Sequence, residues 1–193
     1  MKRLLLIGVT AVALIGCQST SNKIAGLCQI KSTIDTFTNS AKIDFTKCWV
    51  AASESVWDLP SYKFSFSWVE SSPDFIRVGL LYESTVKSTG YTTFSSVLVN
   101  INGETTTFND MSSTELSSSN YNTVTNTIYT ASSAGFIIPF DYFEKMVMSD
   151  DVRIRVKTFD SYDDYIFSLE SSGTMTYARA DLPEYLSLIN KYR

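Results

Sequence analysis

Arg153, Arg155 and Lys157 recur at every second residue, the period that sets side chains on one face of a β-strand. Three cations in such a row are a candidate patch for an anionic partner: a phosphorylated glycan, a carboxylate or an acidic protein. The plainer reading is a solvated sheet face with Glu170 across the hairpin as a neutralising partner. Just downstream, Asp160, Asp163 and Asp164 offer the carboxylate oxygens that calcium takes. They lack the D-x-D-x-D-G spacing and its glycine, and Asp is an ordinary turn residue. The chain has no histidine, which removes the commonest general base and the commonest metal ligand. It carries no G-x-S-x-G elbow, no G-x-G-x-x-G and no P-loop. No catalytic residue, metal ligand or cofactor is implied. Tyr62, Phe64, Phe66 and Trp68 alternate with Lys63, Ser65 and Ser67. That row either packs a core or lines a cavity for an apolar ligand.

These residues need strands to position them, and the alternation supplies strands along most of the chain. Tyr62–Val69 is the clearest, and Ser71–Asp74 turns it into a second strand marked by Ile76, Val78, Leu80 and Tyr82. Asn102-Gly103 is the strongest hairpin signal; it joins Phe94–Ile101 to Glu104–Phe108 and sets Val97 opposite Phe108. Asn109–Thr127 is rich in Ser, Thr and Asn and predicts a long exposed loop, with one helical turn where Ser112 and Glu115 form a capping box. Ile128–Ile138 predicts a strand ending at Pro139, followed by a short helix capped by Asp141 with Phe140, Phe143 and Val147 as its buried stripe. Val152, Ile154 and Val156 mark the next strand, and the loop Asp160–Asp164 leads into Tyr165–Leu169. A last helix starts at Asp181 with Pro183 in its first turn and buries Leu182, Tyr185, Leu186, Ile189 and Tyr192. The expected fold class is α+β: a mostly antiparallel sheet, as a sandwich or half-barrel, with two short covering helices near the C-terminus.

The first seventeen residues, MKRLLLIGVTAVALIGC, have a different build. Lys2 and Arg3 precede the uncharged run Leu4–Ile15, which falls short of the ~20 apolar residues that span a bilayer. This is the pattern of a secretory signal peptide. It closes with Leu14-Ile15-Gly16-Cys17, which resembles the lipobox of bacterial lipoproteins. The resemblance implies cleavage before Cys17, a diacylglycerol on its thiol and acylation of the freed amine. Gln18, where Asp would signal retention in the inner membrane, points to the outer membrane. Residues 1–16 are then a signal peptide, 17–26 the lipidated cysteine and a polar tether reaching about 30 Å, and 27–193 a single globular β-rich domain. With Cys17 taken by lipid, Cys28 and Cys48 remain as a pair in an oxidising compartment, and a disulfide is the default. One hairpin register built on an Asn39-Ser40 turn pairs Ile34 with Phe45 and Ile30 with Trp49, but it puts the two cysteines on opposite faces. The disulfide is favoured, with Cys28 in irregular chain ahead of the first strand. A second resemblance is weak. Ser84-Thr85-Val86-Lys87 matches the S-x-x-K of penicillin-recognising enzymes and Lys87–Gly90 faintly echoes their K-T-G, yet the two overlap where that family holds them far apart.

The charge balance bounds the partners. The whole chain carries 16 basic and 20 acidic residues; without Lys2 and Arg3 the balance is 14 to 20, a net −6. An acidic body argues against nucleic acid, which wants a basic stripe, and against docking on anionic headgroups. The lipid at Cys17 would therefore hold the membrane alone. The expected function is a lipid-anchored envelope lipoprotein acting as a non-catalytic interaction or assembly module. Its partner would be an envelope protein or glycan, met by a sheet edge or the long Ser/Thr loop. A carrier of an apolar ligand and an envelope hydrolase are the alternatives.

Overall fold

A computed structural model describes residues 28–48, 62–86, 90–169 and 177–193. The strands are β1 (Ile30–Asp35), β2 (Ser40–Cys48), β3 (Tyr62–Val69), β4 (Phe75–Val86), β5 (Phe94–Ile101), β6 (Glu104–Phe108), β7 (Glu115–Ser118), β8 (Ile128–Pro139), β9 (Asp151–Thr158) and β10 (Tyr162–Leu169). Two helices join them, α1 (Phe140–Met148) and α2 (Tyr177–Ile189). The strands form a six-stranded sheet in the order β1-β2-β3-β4-β8-β7 and a four-stranded sheet in the order β10-β9-β5-β6. The two separate sheets bury their inner faces in one shared core, which is the sandwich of the two expected forms, and the α+β class holds. Only α2 lies near the C-terminus; α1 interrupts the strands.

Alternation decides which face each strand buries. In β3, Tyr62, Phe64, Phe66 and Trp68 are buried while Lys63, Ser65 and Ser67 are half-exposed. In β9, Val152, Ile154 and Val156 point the same way, into the space between the sheets. The two faces meet through aromatic rings: Tyr62 lies 5.7 Å from Phe94 and 5.6 Å from Tyr165, and Phe108 lies 5.5 Å from Phe136. The helices complete the core at one flank. Phe143 of α1 packs 5.0 Å from Phe66, and Tyr185 of α2 sits 6.0 Å from both Phe143 and Phe45. The Tyr185 hydroxyl donates to the Ile43 carbonyl at 3.1 Å, so its polar tip is satisfied at full burial.

The Asn102-Gly103 hairpin has the expected register, with Ile101 facing Glu104 and Val97 facing Phe108. Both turn residues have positive φ, 52° and 91°, as a two-residue turn matching the strand twist requires.

The first hairpin differs from its expected register. Its loop holds four residues rather than two, because the Asp35 carboxylate accepts from the backbone N–H of Phe37 (2.8 Å) and Thr38 (3.3 Å). Ile30 then faces Phe45, and Ile34 faces Ala41 with 58% of its surface exposed. Trp49 lies outside the described residues. The clash between hairpin and disulfide disappears for two local reasons. Cys28 precedes β1 with φ 53°, and β2 bulges between Phe45 and Cys48, which turns Cys48 onto the buried face. Cys28 and Cys48 form a disulfide with Cα atoms 4.8 Å apart.

Four other boundaries move. The helical turn expected from Ser112 and Glu115 is instead β7, because its backbone finds the free edge of β8, pairing Glu115 with Ser133 and Ser118 with Thr130. Pro139, not Asp141, is the N-cap of α1; Asp141 sits in the first turn, still beside the positive end of the helix dipole. Strand β10 begins at Tyr162, so Asp163 and Asp164 are ladder residues rather than loop. Helix α2 begins at Tyr177, which puts Asp181 and Pro183 inside it. Leu182, Tyr185, Leu186 and Ile189 are buried as expected, but Tyr192 is 40% exposed beyond the helix.

Candidate interaction surfaces

The predicted basic row does share one face. Arg153, Arg155 and Lys157 project from the outer side of β9, because Val152, Ile154 and Val156 take the inner side. Their cross-strand neighbours are Asn100, Leu98 and Ser96 in β5 and Ile166, Asp164 and Tyr162 in β10. A groove of about 520 Å³ crosses this face between Arg153, Arg155, Asn100 and Asp164. Two of the three cations are matched within it. Arg155 donates two hydrogen bonds to Asp164, at 2.6 and 2.7 Å, and its guanidinium lies 4.2 Å over the Tyr162 ring. The Asp164 hydrogen bond pushes Arg155 above its usual value, and the same contact holds the Asp164 carboxyl below the usual carboxylate range. Arg153 Nε lies 3.3 Å from Asp151. No ion pair of Lys157 occurs among the described residues. Three cations and two carboxylates leave this face with one net positive charge. The neutralising role assigned to Glu170 falls to Asp164; Glu170 itself lies outside the described residues.

The acidic trio does not converge. Asp163 and Asp164 are neighbours in β10 and point to opposite faces of the sheet. Asp163 accepts a hydrogen bond from the buried Tyr62 hydroxyl at 2.9 Å. Burial, reinforced by that carboxylate, raises Tyr62 well above the usual tyrosine range, so it remains a hydrogen-bond donor. Among the described residues no three acidic or cysteine side chains gather as a metal site. Ser84 pairs with Thr130 in the ladder between β4 and β8, and Lys87 lies outside the described residues.

The aromatic row of β3 is packed. Tyr62, Phe64, Phe66 and Trp68 are between 0 and 3% exposed, and the space left among Phe64, Phe66, Val78, Val97 and Met146 is about 10 Å³. Ligand cavities run to hundreds of Å³. The Trp68 indole donates to the Pro73 carbonyl at 3.1 Å, which closes the β3–β4 turn over the core.

The outer face of the larger sheet carries a second polar cluster. The Glu83 carboxylate bonds to Lys63 and accepts from the Tyr129 hydroxyl at 2.6 Å. Partial burial, with the Glu83 bond, pushes Tyr129 up to about 12. Beyond it, β7 runs along the edge of β8, and the chain joining the two forms an arm past the end of their ladder. Leu116 on β7 and Tyr121 and Val124 on the arm are 55, 52 and 89% exposed, and the tip of the arm is closed by Asn122, whose side chain accepts from the Val124 and Thr125 N–H groups. The polar composition marks this segment as surface, but gives no sign that β7 is an edge strand, with one side unpaired among the described residues. Leu116 was the available signal, an isolated apolar residue in a polar run.

Residues 1–27, and with them Cys17 and Gln18, lie outside the described residues. Among the described residues no helix is long and apolar enough to cross a membrane. No protein-family model matches the chain, and no curated protein matches it.

Proposed function

We propose that this chain is a lipid-anchored lipoprotein of a bacterial cell envelope, held in the outer membrane through Cys17, and that its sandwich is a non-catalytic interaction module. The observation that carries the reading is the Leu14-Ile15-Gly16-Cys17 motif behind a cationic start and an uncharged run. The folded part supports the module over the carrier, because the core leaves about 10 Å³ where an apolar ligand would sit. It supports a protein or glycan partner through the sheet edges left unpaired among the described residues and the apolar side chains of the β7–β8 arm. The polar stretch from Gln18 lets the domain stand off from the bilayer.

The test is metabolic labelling of the full chain in a bacterial host with an alkyne fatty acid, followed by membrane fractionation. The wild-type protein takes label, yields a mature N-terminus at Cys17 and floats with outer membranes. Cys17→Ser takes none and stays uncleaved. Label on the Cys17→Ser protein, or a mature N-terminus elsewhere, overturns the anchor. Photocrosslinkers placed at Leu116 and Tyr121 in the same cells test the module. Recovery of no envelope component from either position refutes the arm as its docking surface.

A further inference from the structure

Strand β1 is an edge: it pairs with β2 and with nothing else among the described residues. The Thr46 N–H donates to the Gln29 carbonyl at 2.8 Å, which fixes the phase of the ladder. Lys31, Thr33 and Asp35 therefore turn their backbone groups toward β2, while Ser32 and Ile34 turn theirs outward, unpaired among the described residues. Lys31, Thr33 and Asp35 share the outer face, and Ser32 and Ile34 share the face that leads to the core, opposite Ile43 and Ala41.

Edge strands usually carry a lysine to repel another strand. Here the lysine comes with an acid four residues on, and in an antiparallel self-pairing that spacing turns repulsion into attraction. When two copies of β1 meet with Thr33 opposite Thr33, Ser32 and Ile34 of the two chains exchange backbone hydrogen bonds. Lys31 of each copy then lies opposite Asp35 of the other. Sliding the pair by two residues either way keeps the backbone bonds but sets Lys31 opposite Thr33 or Phe37, with neither charge matched. Lys31 is exposed and joins no ion pair among the described residues; Asp44, across from it in β2, is held by Lys42 at 2.9 Å. Asp35 is exposed, accepts from the Phe37 and Thr38 N–H groups of its own turn, and joins no ion pair among the described residues. On the inner side, Ile34, 58% exposed, gains Ile30 and Ile34 of the other copy as diagonal neighbours.

We infer that β1 is a self-association edge, joining two copies of this chain antiparallel about Thr33 into one continuous sheet, with Lys31 and Asp35 setting the register. The inference does not rest on the lipid anchor or on the β7–β8 arm.

Directly opposed residues of a non-hydrogen-bonded antiparallel pair have Cα atoms about 4.5 Å apart, within reach of a disulfide. The full-length Thr33→Cys protein, expressed in its exported location, should therefore form a dimer on non-reducing gels that reduction dissolves. Lys31→Cys is the control, since the two Lys31 positions lie four residues apart along the pairing and should not crosslink. Adding Lys31→Glu or Asp35→Lys to Thr33→Cys opposes like charges twice and should lower the crosslinked fraction about tenfold. Co-expressing those two reversed proteins with different tags should restore crosslinking between them, because both charge pairs are then complementary. Equal crosslinking at positions 31 and 33, indifference to the charge reversals, or capture of a different protein at position 33 each overturns the inference.

Discussion

Removing the Cys28–Cys48 disulfide is the most direct test of how the sandwich holds its first edge. The bond closes a loop of sequence separation 20. In the chain-entropy account, a loop of that length restricts the unfolded chain enough to stabilise the fold by about 3 kcal/mol. For a domain of this size that is a drop in Tm of roughly 6–12 °C. The double variant Cys28→Ala/Cys48→Ala should show this loss in urea unfolding followed by circular dichroism, with the midpoint falling and the slope rising as the unlinked unfolded chain exposes more surface. Both cysteines are at most 3% exposed, so the alanines add a small cavity cost in the same direction. The effect should also be local. Strand β1 has one ladder neighbour among the described residues, and Cys28 is its covalent tie to β2. Hydrogen exchange should therefore accelerate first at Lys31, Thr33 and Asp35, whose N–H groups face β2, while the central β5 and β9 keep their protection. A loss below about 1 kcal/mol, or uniform loss of protection across both sheets, would refute the reasoning.

Two further outcomes follow from the geometry. Gly103 sits at φ 91° with open space where a Cβ would go, so Gly103→Ala meets conformational strain alone. It should cost about 1 kcal/mol by thermal unfolding, and no loss would mean the turn relaxes to another type. The Glu83 carboxyl is raised by partial burial, but its bonds to Lys63 and Tyr129 outweigh that and hold it below its usual 4.5. A depressed folded value stabilises the fold above 4.5, and that contribution is lost as pH falls through the folded value. Glu83→Gln should therefore be less stable than wild type at pH 7, with the gap closing in acid; a gap that widens below pH 4.5 would contradict the assigned bonds.

Much of the fold was legible because period-two patterning and turn chemistry are local. The β3 alternation and the Asn102-Gly103 turn needed only neighbours within a few residues; the first buries the expected face and the second has the expected register. Segments whose structure depends on distant partners were not legible. Glu115 and Ser112 satisfy a capping rule locally, but β8 offered an open ladder, and backbone pairing outcompeted one helical turn. Asp164 has the composition of a turn, yet Arg155 across the sheet drew it into β10. Asp141 has the chemistry of a cap, but the chain reaches α1 directly from a strand through Pro139.

The sequence by itself determined most of the strands and their buried faces, the one strict hairpin and the candidate anchor motif, since each depends on residue type and short spacing. Only the tertiary structure decided how the strands divide into two sheets, and that the aromatic row of β3 is filled rather than hollow. It alone made the cysteines meet, through a bulge in β2 and a left-handed residue at Cys28. It also decided that Arg153 and Arg155 have acidic neighbours. The physical reason is the same in each case: packing and cross-strand pairing join residues that are far apart in the chain, and side-chain periodicity carries no record of which strand lies next to which.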